Sequence, residues 1–172
     1  MGKQYGRKTQ RRFCPQKTFR RSNENRLGDS PLDRKQATQN AKDSFTLWHG
    51  QVLLVPYDLE FKVYGTDTAG TCDFVGGLYY PKKKIFGRIY YLDWKTGTYI
   101  DRASHGPQIA SYKHFDGRYP DAGIGVVNFS KDEAKFVFTD YTKYEDRMLG
   151  EFFLMHKLYM SRHPQIAKRA RG

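Results

Sequence analysis

Three sets of residues could carry chemistry, and the first is cationic. Lys3, Arg7, Lys8, Arg11, Arg12, Lys17, Arg20, Arg21 and Arg26 crowd the opening segment, with Phe13 and Phe19 between the pairs Arg11-Arg12 and Arg20-Arg21. Lys168, Arg169 and Arg171 repeat the pattern at the far end. Cationic side chains on an arm neutralise phosphates and release their counterions without a shaped groove. The second set places rings beside cations: Tyr79-Tyr80-Pro81-Lys82-Lys83-Lys84, then Arg88-Ile89-Tyr90-Tyr91. Stacking on rings combined with phosphate neutralisation is how single strands are held. A plainer reading fits the same residues, with core rings and lysines that solvate a turn.

The third set is His114, Asp116 and Asp121, the one stretch that collects His with carboxylates. Acid/base work or metal binding would have to come from there. The run Asp116-Gly117-Arg118-Tyr119-Pro120-Asp121 reads more simply as a turn, because Asp, Gly and Pro serve turn geometry. It lacks the alternating acids of a calcium loop. Gly65 and Gly70 have the spacing of a phosphate loop and Thr71 follows, but the lysine that should follow the second glycine is missing. Cys14 and Cys72 form neither a disulfide framework nor a metal pair, and Cys72 has no local partner that would make it a nucleophile. The expectation is therefore a non-enzymatic protein with no catalytic residue, no metal ligand and no cofactor.

The elements that position these groups follow from charge and apolar pattern. Residues 1–42 carry twelve Lys/Arg against three acids, residues 43–156 thirteen against fifteen, and residues 157–172 five against none. The net charges, +9, −2 and +5, make up the +12 of the chain. Residues 1–42 hold few large apolar side chains and cannot offset the entropy of ordering, so they read as a disordered basic arm. Residues 43–160 read as a β-rich body, and 161–172 as a basic tail.

Within the body, Leu59, Phe61 and Val63 alternate with polar neighbours as in a half-buried strand. Strand chemistry resumes from Phe74 to Tyr80 and from Ile85 to Leu92, around a turn at Lys82–Lys84. Thr98–Ile100 and Ile109–Tyr112 read as weaker strands, and His114–Gly123 as a loop. Ile124–Phe129 and Ala134–Thr139 read as a hairpin, although Ser130 and Glu133 have the spacing of a helix cap. Met148, Phe152, Met155 and Tyr159 recur at helical spacing, which predicts a helix over about 143–160. The predicted fold class is mainly β: an antiparallel sandwich or barrel with a C-terminal helix.

No apolar run approaches the ~18 residues of a membrane helix, and no secretory apolar core follows the start. These features point to an intracellular, non-secreted protein without a membrane partner. In layout alone, a basic N-terminal arm on an aromatic β body, the chain resembles small viral coat proteins. That layout implies a capsid subunit whose residues 3–26 neutralise packaged RNA or single-stranded DNA and whose body contacts copies of itself in a homo-oligomer. A ribosomal or other ribonucleoprotein component is the alternative. A small β-domain enzyme or ligand-binding protein built on His114, Asp116 and Asp121 is the third.

Overall fold

In the computed structural model of the chain, the described residues are 31–165, apart from positions 66 and 98. They form α1 (Pro31–His49), β1 (Leu53–Tyr64), β2 (Ala69–Tyr80), β3 (Ile85–Thr96), α2 (Arg102–Asp116), β4 (Gly123–Phe129), β5 (Phe136–Asp140) and α3 (Glu145–Arg162). The five strands make one open sheet in the order β1-β2-β3-β4-β5. β1, β2 and β3 form an antiparallel meander. β4 then runs parallel to β3, and β5 returns antiparallel to β4.

The parallel step is a correction to the antiparallel sandwich or barrel. Parallel neighbours cannot be joined by a tight turn, so a crossover is needed, and α2 supplies it. Ile109–Tyr112, expected as a strand, is the buried face of this helix, and the expected loop from His114 begins only after Asp116. Local chemistry marks the helix at both ends. Asp101 caps its start by accepting from the Ala103 amide at 3.1 Å. Gly117, at φ 65°, ends it in the left-handed conformation that glycine adopts freely.

The middle of the sheet is covered on both faces. Neighbouring residues on a strand point to opposite sides. Tyr91 and Val126 pack with Ile109, Tyr112 and Met148 under α2 and α3. Leu92 and Val127, one residue on, pack with Trp48 of α1. β4 lies buried along its whole length, as a strand covered on both faces must. α1 begins inside the segment expected to lack structure. It is held at its C-terminal half, where Ser44 accepts from the Lys135 amide at 2.8 Å and Trp48 enters the core.

Other expectations match the structure. The hairpin pairs Val127 with Phe138, and Ser130 Oγ accepts from the Asp132 and Glu133 amides in its turn without starting a helix. The C-terminal helix is α3. Residues 1–30 and 166–172 lie outside the described residues, and with them Lys3, Arg7, Lys8, Arg11, Arg12, Lys17, Arg20, Arg21, Arg26, Lys168, Arg169 and Arg171.

Candidate active site

Asp73 and Asp93 each interrupt an apolar strand, twenty positions apart in sequence. The β2–β3 register brings them together. Phe74 pairs with Leu92, and one further step on each strand sets Asp73 across from Asp93. Residues directly opposed in an antiparallel pair have Cα atoms about 4.5–5.5 Å apart. Asp73 Oδ2 accepts from the Trp94 amide at 2.6 Å, which fixes that carboxylate at the C-terminal end of β3.

Trp94 anchors this end of β3. Its ring points to the α1 side and meets Phe45, Trp48 and Phe74 at centroid distances of 6.1, 6.3 and 6.3 Å. Alternation then turns Asp93 and Lys95 to the α2 side. Lys95 Nζ lies 2.6 Å from Asp93 Oδ2. Lys95 also donates to Gln108 Oε1 at 3.4 Å, and Gln108 Nε2 to Tyr112 Oη at 2.6 Å. Gln108 and Tyr112 share a face of α2 because they are four residues apart.

The electrostatics of the pair are unbalanced. Burial pushes the Asp93 carboxyl above the usual carboxylate range; Lys95 pulls it back, Asp73 pushes it up further, and His105 pulls it down. The Asp93 side chain is only 4% exposed, whereas that of Lys95 keeps 28%. His105 Nδ1 is buried with no partner on the same side of the site. Two opposed carboxylates, of which only Asp93 is paired with a cation, favour additional positive charge at the site. No group of three or more His, Cys, Asp or Glu placed to hold a metal occurs among the described residues. Two carboxylates nevertheless fit a magnesium-type ion, which binds through one or two of them and keeps waters or substrate phosphates for the rest.

Beside the pair lies a cavity of ≈ 500 Å³ between the start of β2, α2 and α3. Gly70, Gln108 and Tyr112 are on its wall, so it adjoins the Lys95 chain of contacts. A side chain at Gly70 would run into the Tyr112 ring, which explains the glycine there. Cys72 is buried beneath this region, and burial pushes its thiol up to about 12.

The residues singled out from sequence fall elsewhere. Lys82, Lys83 and Lys84 form the β2–β3 turn, roughly 23 Å along β2 from Asp73. Lys83 Nζ sits 6.0 Å from the Tyr80 ring, and Tyr79 packs on the exposed Phe86 at 4.8 Å. Tyr90 and Tyr91 are core rings: one donates to Asp140 at 2.8 Å, the other to Asp116. Asp116 also accepts from Arg118 Nε at 2.7 Å, which accounts for both of its oxygens. His114 packs on Phe115 and Phe153. Asp121 is exposed, and the three do not converge. The signal that marks Asp73 and Asp93 is a carboxylate inside an otherwise apolar strand, Cys72-Asp73-Phe74 and Leu92-Asp93-Trp94, the second followed by Lys95.

The chain matches no protein-family model and no curated protein sequence. Among the described residues no helix is long and apolar enough to cross a membrane.

Proposed function

We propose that the protein is a metal-dependent phosphodiesterase acting on nucleic acid, with Asp73, Asp93 and Lys95 at its centre. The observation that carries this reading is the pairing of Asp93 with Lys95 across from Asp73, at the carboxyl end of a strand that has a parallel neighbour. Crevices at such strand ends are where open sheets bind ligands. Asp73 and Asp93 would hold a divalent cation. Such an ion supplies Lewis-acid polarisation of a phosphoryl oxygen and a water deprotonated near neutral pH. The side chains supply the rest. Lys95, steadied by Gln108, presents an ammonium where negative charge grows on the phosphorus oxygens. Burial of Asp93 keeps the site in a low dielectric, where that ammonium is worth more than in water.

The basic segments fit the same substrate. Lys3 to Arg26 and Lys168 to Arg171 would supply sequence-independent grip on the phosphate backbone of RNA or DNA. The Tyr79–Phe86 turn, with its exposed ring and three lysines, favours a second reading. In it the protein is a non-enzymatic nucleic-acid-binding subunit of a capsid or ribonucleoprotein, with copies of itself or other subunits as partners.

Incubation of the full chain with single-stranded DNA, duplex DNA and RNA in Mg²⁺ or Mn²⁺ separates the two. The hydrolytic reading expects cleavage that stops with a chelator and is absent in a folded Asp93→Asn variant. No cleavage of any of the three, or equal cleavage by that variant, would overturn it.

A further inference from the structure

We infer that the cavity beside the carboxylates takes one unpaired nucleobase of the substrate strand. This rests on the phosphodiesterase reading for the strand that passes its mouth. Position is the first argument. Gly70 on the cavity wall is three residues from Asp73, about 10 Å of strand. Gln108 is on the cavity wall and also accepts from Lys95. A polynucleotide whose phosphate lies over Asp73 and Asp93 therefore carries a neighbouring base to this opening.

The lining is the second argument. Tyr112 and Phe115 of α2 and Phe152 and Tyr159 of α3 supply rings. The His156 ring lies over Phe152, 11° from parallel at 6.1 Å, and its Nε2 is 3.3 Å from Asp67 Oδ1 across the opening. Base–aromatic stacking is sequence-tolerant because every base has a π-face. Polar side chains share the wall: Thr68, Ser104 and Gln108 line it beside the rings, and a base edge supplies both donors and acceptors.

Size is the third argument. A volume of ≈ 500 Å³ falls within the range of small-ligand sites, so a single base fits and an intact duplex does not. Duplex substrate would have to unpair a nucleotide, which costs energy that a single strand does not spend. The substrate class is thus single-stranded nucleic acid, or a frayed end, ahead of intact duplex.

The test uses the full chain as the Asp93→Asn variant, so that bound strands stay uncut. Single-stranded oligonucleotides carry 2-aminopurine at one position each, moved along the series. The expected result is fluorescence quenching confined to one or two positions. Phe152→Ala and Tyr159→Ala should each remove that quenching and weaken binding by roughly tenfold. Tyr159 is half exposed, so its variant keeps its fold even if Phe152→Ala does not. Leu154→Ala, 69% exposed and off the cavity wall, should leave it unchanged. Equal quenching at every position, quenching indifferent to both ring substitutions, or no single-strand binding at all would overturn the inference. If the wild type cleaves nucleic acid but shows no position-specific quenching, the cavity assignment fails and the hydrolytic reading stands. If position-specific quenching appears without cleavage, the cavity assignment stands and the hydrolytic reading fails.

Discussion

Replacing Asp93 with Asn should abolish turnover and leave the fold about as stable as before. Removing one member of a buried ion pair commonly costs about 3–5 kcal/mol, because an uncompensated charge stays buried. Here the charge left behind is Lys95, 28% exposed, with a stem long enough to carry its ammonium into water. The carboxylate removed is 4% exposed, and burial and Asp73 already drive it toward its protonated form. The opposing effects leave an expected change within about ±1 kcal/mol, or a Tm shift of no more than about 4 °C at this chain length. A raised folded-state pKa means that the stability contributed by Asp93 is present below its unfolded value, about 3.9, and is lost as pH rises through the folded value. Asn does not titrate, so the stability of the variant relative to the wild type should rise with pH from about 4 upward. A divalent cation should reverse this, adding about 1.4 kcal/mol to the wild type at ten times its Kd and nothing to the variant. Urea unfolding followed by circular dichroism from pH 4 to 8, with and without Mn²⁺, measures all three effects. A loss of 3 kcal/mol or more, flat in pH and indifferent to metal, would show a structural ion pair and refute the reasoning.

Three further outcomes are expected. Lys113 is buried and donates to Glu145 at 2.7 Å and to the Ala122 carbonyl at 2.7 Å, tying α2 to α3. Lys113→Met leaves the Ala122 carbonyl without its donor and should cost about 1–3 kcal/mol in urea unfolding, and no loss would contradict that role. His114→Ala should leave cleavage kinetics unchanged, and Asp116→Asn should cost about 1–2 kcal/mol of stability without touching kcat. Loss of kcat in either folded variant would return acid/base chemistry to that loop. Changing Lys82, Lys83 and Lys84 together to Ala should flatten the log–log salt dependence of single-strand binding by up to about 2.1. Cleavage of already bound strand should be unaffected, and an unchanged slope would remove the turn from the binding surface.

Much of the sheet was legible in the chain. Phe61-Lys62-Val63 alternates because one side of β1 is solvated, although Leu59, expected on the covered side, is 53% exposed, and Gly and Pro punctuate the turns. α3 declared itself through its Met, Phe and Tyr spacing. α2 did not, because Gly106 and Pro107 interrupt its pattern and only Ile109–Lys113 run as a continuous buried stretch. The glycine is there for contact: a Cβ on Gly106 would run into the Met148 thioether. α1 was obscured by its polar surface, with Ser44 and Trp48 its only fully buried side chains among the described residues. Without α2 there is no crossover, and so no parallel step that makes β4 a neighbour of β3. The carboxylate pair was hidden for a related reason. Asp73 and Asp93 meet through strand register, which composition and local spacing do not express. Local spacing points instead to His114 and Asp116, where charged groups are close in sequence. In the fold Asp116 is tied to Tyr91 and Arg118.

The central claim is that Asp73 and Asp93 share one divalent cation. Crystals of the full chain soaked in Mn²⁺ and measured at the manganese absorption edge test it most directly. One anomalous peak is expected within bonding distance of both carboxylates, about 2.0–2.4 Å, absent from Asp93→Asn crystals treated alike. Peaks confined to other sites, or no peak at millimolar Mn²⁺ with the Asp93–Lys95 pair intact, would contradict it.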